Sequence, residues 1–292
     1  SFSSQISLRL AAKFNLSNFI HTKKIYMKYT QNLLAALLVI TIAFAACKPN
    51  DKKGNTNNDE NDASFKVEAE SFADLQMLRY QVPGFDKLTP KQKELAYYLS
   101  EVALCGRDII YDQKSKYGIM LRKTLETIYG TYKGDKTSDD WKKFETYCGR
   151  FWFSNGNHHH YGNEKFIPEC TFDYFSSLVK ASDTANLPKA AGETVDAFLS
   201  RINPLLYDLK VEPKLVDLSP NIDNIAASSV NFYEGVTQKE VEDFYKKFPK
   251  TDNSPSWGLN SKTMKEAGQV VEKAWKVGGM YSASIEKMVY WL

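Results

Sequence analysis

The chain of 292 residues is long enough for one large domain or two small ones, and its 43% apolar and 13% aromatic content excludes wholesale disorder. Of 38 basic and 35 acidic side chains, five bases (Arg9, Lys13, Lys23, Lys24, Lys28) and no acid fall in residues 1–46, so the rest carries a net charge of −2. A near-neutral body gives no electrostatic case for nucleic-acid binding.

Residues 1–26 precede a plausible start at Met27 and read as a non-native upstream extension. Residues 27–46 read as a secretory signal: a cationic start at Lys28, then an apolar run of 14 residues, LLAALLVITIAFAA. That run is short of the roughly 20 residues a membrane span needs and fits the apolar core of a signal peptide. It ends Phe44-Ala45-Ala46-Cys47, which resembles a lipobox with Phe44 in place of the usual Leu. Cys47 is then the lipidated residue, because the thioether to diacylglycerol forms at the cleavage point. The alternative is an ordinary signal peptide with an incidental cysteine. Residues 47–70 read as a flexible tether, since the stretch KPNDKKGNTNNDEND carries no large apolar side chain. The expected location is the bacterial cell envelope, with a lipid anchor in the membrane.

Residues 71–292 read as a mainly helical α+β body with a small sheet. Leu78 to Val82 is the first expected strand. Thr89, Pro90 and Gln92 form a helix start with a capping box, and Leu95, Tyr98, Leu99, Val102, Cys105 and Ile109 recur on one helical face. A second helix is expected after Thr137, with Trp141, Phe144, Cys148 and Phe151 inward. A third follows Thr171 and buries Phe175, Leu178 and Val179. A fourth holds Val195, Phe198, Leu199 and Ile202 and stops near Pro204. Strands are expected at residues 205–211 and 229–233. Thr237 to Glu240 is a second capping box, leading into Val241, Phe244, Tyr245 and Phe248. Residues 268–292 follow a helical pattern, loosened at Gly278 and Gly279. An end on Val-Tyr-Trp-Leu lacks the usual polar cap, and the expectation is a chain cut inside an element.

Three cysteines remain beyond Cys47, and an odd number cannot pair fully. Buried free thiols are expected at Cys105 and Cys148; a bridge from Cys148 to Cys170 is the alternative. The segment FWFSNGNHHHYGNEKFIP (151–168) concentrates aromatics, turn residues and His158, His159 and His160. Adjacent residues diverge on either a strand or a helix, so three consecutive imidazoles rarely converge on one ion; a polar loop is expected rather than a metal site. The chain contains no HExxH, GxSxG, P-loop or GxGxxG motif.

SNGNHHHYGNEKFIP (154–168) resembles the segment of the dipeptidyl peptidase III family that carries an SNxGN-like turn followed by FGDxKFVP. The stretches at 72–113, 228–245 and 258–292 resemble that family in the same order, so the likeness spans most of the body. The resemblance implies a two-lobed, zinc-dependent metallopeptidase that releases dipeptides from the N-termini of short peptides. It implies that this chain is the cleft-forming N-terminal lobe, with zinc held by an HExxGH motif and a later Glu on a missing catalytic lobe, and with no metal-binding or catalytic residue here. By the same resemblance Tyr161, standing where the family has Phe, lines the peptide cleft, with Asn155 and Asn157 beside it as substrate-binding residues. The structural alternative for Tyr161 is a packing aromatic. The alternative function is a non-catalytic, lipid-anchored peptide-binding or interaction module. The apolar end, with Trp275, Tyr290 and Trp291, is expected to lie on a surface that a partner covers.

Overall fold

In a computed structural model, residues 65–248 and 260–292 are described. Met27, the signal, Cys47 and the tether sequence 48–62 lie outside the described residues. The body is α+β, mainly helical with two small sheets. No helix among the described residues is long and apolar enough to cross a membrane.

The body opens with an antiparallel hairpin, β1 (Glu68–Phe72) and β2 (Leu75–Leu78), joined through Ala73 at φ 50°. The strand expected at 78–82 is therefore earlier in the chain, and β1 begins three residues before the expected body. Helix α1 (Pro90–Cys105) starts at the capping box read from the sequence: the Thr89 hydroxyl accepts from Gln92 N and the Gln92 side chain accepts from Thr89 N. Helices α2 (Arg107–Lys114) and α3 (Gly118–Thr131) follow. Gly118 is required between them, because a Cβ there would lie 2.2 Å from the Tyr111 carbonyl oxygen. Helix α4 (Asp139–Ser154) is capped by Ser138, one residue after the Thr137 expected to precede it, and carries Asp139 and Asp140 at its positive end.

Helices α5 (Phe172–Lys180) and α6 (Val195–Tyr207) are capped by Thr171 and Thr194. Pro204 does not stop α6. The helix continues through Leu205 and Leu206, which are buried, so the strand expected at 205–211 is a helical turn followed by a loop. Burying two leucines stabilises by about 3–6 kcal/mol, which outweighs the roughly 3 kcal/mol cost of an internal proline.

The principal core lies among α2–α6. Trp141, Phe144, Phe151, Phe175, Phe198 and Ile202 are among its large, fully buried contributors, all on the faces their helical spacing indicates. Cys148 and Cys170 are both free and buried in it, whereas Cys105 is half-buried rather than enclosed.

The C-terminal part differs most from expectation. A short helix α7 (Asn224–Ala227) precedes β3 (Tyr233–Glu234), which is two residues long where residues 229–233 were expected to form the strand. After α8 (Gln238–Lys246), begun by the Thr237/Glu240 capping box, β4 (Ser261–Glu266) and β5 (Gln269–Ala274) form an antiparallel hairpin. Ala267 and Gly268, at φ 46° and 80°, have the paired positive φ of a tight hairpin turn. The first part of the expected helix at 268–292 is thus a strand, and only α9 (Ser282–Trp291) is helical. The sheet order is β3-β4-β5, with β3 parallel to β4, and Phe232 stacks on Trp275 beneath it.

Helix α1 does not bury its apolar face as its periodicity suggested. Leu95, Tyr98 and Leu99 stay exposed, and its partner is α9, whose Trp291 ring meets Tyr97 and Tyr98 at 6.3 and 6.1 Å. Tyr290 of α9 is 80% exposed, while Trp275, just after β5, and Trp291 are half-buried against neighbouring rings; of the three aromatics expected on an open surface, only Tyr290 is fully there.

Candidate functional site

The segment after α4 is built around helix termination. Asn155 takes the left-handed conformation (φ 52°, ψ 45°), its N–H donates to Trp152 O, and the Gly156 N–H returns to Phe151 O at 2.9 Å. This is a Schellman-type end, and Asn followed by Gly is the local sequence that favours it. The Lys114 ammonium donates to the Ser154 carbonyl and stabilises the same negative end of α4.

Residues 157–166 then form a tight hairpin. The Phe166 N–H donates to Asn157 O, the His159 N–H to Glu164 O at 2.8 Å, and the Asn163 N–H to His159 O at 3.2 Å. Its return limb is tied to the segment after α6: Lys165 N donates to Pro213 O and Leu215 N to Asn163 O. Beneath the hairpin lies a set of buried polar groups. The Asn157 amide donates to Leu205 O at 3.2 Å. Lys165, 6% exposed, donates to Asp208 O and Val211 O at 2.7 Å each and reaches Pro204 O at 3.4 Å. It thereby satisfies carbonyls at the end of α6, and burial pulls its ammonium down to about 8. His158, 1% exposed, donates through Nε2–H to the Glu212 carbonyl at 2.7 Å, and burial holds its imidazole at about 4. Glu212 sits at φ 51°, accepts from the Ser115 hydroxyl at 2.8 Å, and is raised above the usual carboxylate range by burial.

The other two imidazoles point elsewhere. His159 Nε2 faces Asp74 Oδ2 at 3.1 Å, and its Nδ1 accepts from Tyr161 N and Gly162 N at 3.2 and 2.9 Å. The His160 ring rests edge-on against Phe153 at 5.0 Å. The His159 and His160 rings lie 4.6 Å apart while His158 is enclosed on its own, and no group of three or more His, Cys, Asp or Glu side chains among the described residues is placed to hold a metal ion.

Tyr161 stands at the tip of the hairpin, 86% exposed, so it is not the packing aromatic of the structural alternative. Its ring lies 5.8 Å from that of His160. Asn155 is half-buried and shapes the turn as the left-handed end of α4. Asn157 is 2% exposed with its amide committed to Leu205 O, so it shapes the loop and is closed to a ligand, contrary to its expected substrate-binding role. Sequence reasoning missed Asp74, Lys114, Lys165 and Glu212. Lys165 had a visible signal, a single cation next to Phe166 and Ile167 in a run ending at Pro168; the others come from distant segments and had none.

No protein-family model matches this chain, and no curated protein matches it.

Proposed function

We propose that this chain forms the cleft wall of an envelope-anchored, zinc-dependent dipeptidyl peptidase, a hydrolase whose HExxGH motif belongs to a separate catalytic lobe. The ordered likeness of four stretches to the dipeptidyl peptidase III family motivates the reading, and one observation carries it. By that likeness Tyr161 takes the family's cleft position, and it stands 86% exposed on a hairpin whose Asn157 and Lys165 are buried and hydrogen-bonded from below. An exposed phenol on a hydrogen-bonded turn offers a ring face and one hydroxyl to an extended peptide. Cys47 supplies the anchor in this reading, and short peptides are the ligands.

The test is calorimetric titration of the chain with tetrapeptides, with and without a chelator. Wild type is expected to bind and Tyr161→Ala to bind at least about tenfold more weakly with the fold unchanged, since substitutions at so exposed a position shift stability by about 0.5 kcal/mol or less. Equal binding by both proteins would remove Tyr161 from the site. Sequencing beyond the codon of Leu292 separates this reading from a lipid-anchored peptide-binding module without catalysis: an HExxGH motif followed by a distal Glu supports the peptidase, and a stop codon without one supports the module.

A further inference from the structure

His159 is the only imidazole of the cluster with both ring nitrogens engaged by named partners, and those partners decide its tautomer. Two backbone N–H groups, from Tyr161 at 3.2 Å and Gly162 at 2.9 Å, converge on Nδ1. A nitrogen that accepts two N–H donors carries no proton, so the proton resides on Nε2 and is donated to Asp74 Oδ2 at 3.1 Å. The carboxylate is itself placed by Arg150, whose Nη2 is 3.3 Å from Oδ1 and whose guanidinium lies over the Phe166 ring at 4.6 Å. Partial burial works to raise the Asp74 carboxyl, but its own backbone N–H, Arg150 and His159 outweigh that and hold it below the usual range. The result is a relay from α4 through the β1–β2 turn to the backbone of the hairpin tip: Arg150, Asp74, His159, then Tyr161 and Gly162.

We propose that neutral His159 is the positioning residue that holds the 159–162 turn, and with it Tyr161, and that protonation of its Nδ1 releases the turn. An imidazolium presents N–H at both nitrogens. Its Nδ1 would then face two backbone donors with none accepting, and the turn would lose both bonds at once. The other charged and titratable groups facing His159 are His160 and Glu164 in its own hairpin, with Lys114 of α2 bearing on His160. Acidification thus converts a fixed aromatic contact into a loosely held one. This deepens the reading of Tyr161 as a peptide contact and rests on it only where binding is concerned.

The experiment uses the full chain. Nitrogen-15 spectra of the His159 ring at pH 8 are expected to show the Nε2–H tautomer, and amide exchange at Tyr161 and Gly162, corrected for intrinsic rates, is expected to speed up by about tenfold between pH 8 and pH 5, as loss of ordinary hydrogen bonds gives. In His159→Asn the side-chain oxygen can occupy the place of Nδ1 and does not titrate, so protection is expected to persist and to be flat with pH. In His159→Leu protection is expected to be lost at both values, with the core unaffected because the ring lies outside it. An Nδ1–H tautomer, pH-independent protection in wild type, or protection in His159→Leu equal to wild type overturns the inference. Tetrapeptide affinity measured on the same samples is expected to fall with the loss of protection; a switch in protection with unchanged affinity keeps the His159 device and overturns the assignment of Tyr161 to the peptide site.

Discussion

His158 shows how differently adjacent residues of one type can behave. It is enclosed, donates to the Glu212 carbonyl, and is held at about 4 by burial, against 6.5 for a solvated imidazole. The unfolded chain therefore binds a proton at His158 between pH 6.5 and 4 that the folded chain does not. Stability must fall as pH drops through that window, by roughly 3 kcal/mol once it has been crossed. Replacing His158 by Gln, which keeps a donor for Glu212 but does not titrate, is expected to flatten this part of the pH dependence. Urea denaturation of both proteins at pH 7.5 and 4.5 measures it, and parallel losses in the two proteins would show that His158 is not the group responsible. Lys165 follows the opposite logic: its ammonium is retained inside the protein because three carbonyls around the end of α6, those of Pro204, Asp208 and Val211, accept its N–H groups.

Among the elements, α8 depends on its start more than on its packing. Only Val241 of its nine residues is fully buried, and the Thr237/Glu240 box supplies reciprocal partners for the first-turn N–H groups. Thr237→Ala is expected to lower stability by about 1 kcal/mol, seen as a lower urea midpoint with unchanged slope. Lys239→Ala, which removes only an exposed pair with Asp243, is expected to leave the midpoint where it was. A Thr237→Ala midpoint equal to wild type would mean that α8 is held by contacts rather than by its cap.

At the scale of the whole molecule, the principal core is complete among α2–α6, but α1 and α9 expose Leu95, Leu99, Leu104, Val289 and Tyr290 on a packed pair of helices. Apolar surface of this kind drives association. The chain is expected to self-associate at micromolar concentration in sedimentation velocity, and the double substitution Leu99→Glu with Tyr290→Lys is expected to reduce that association while leaving the urea midpoint within error. A wild-type chain that sediments as a clean monomer would show that this face needs no cover.

The sequence by itself determined the helix starts at Thr89, Thr171 and Thr237 and the inward faces of α4, α5 and α6. Each is a local matter: a capping box needs residues three apart, and an amphipathic face repeats every 3.6 residues. Tertiary structure alone decided that α6 runs past Pro204, because the gain lies in what Leu205 and Leu206 touch. It also decided that residues 269–274 pair as a strand, since a short run such as QVVEKA suits either state until β4 lies beside it. The candidate site divides the same way. Tyr161 entered through the family resemblance, but its fixing through His159 and Asp74 joins residues 85 positions apart, and a spacing of that length is set by how the chain packs, not by any local pattern.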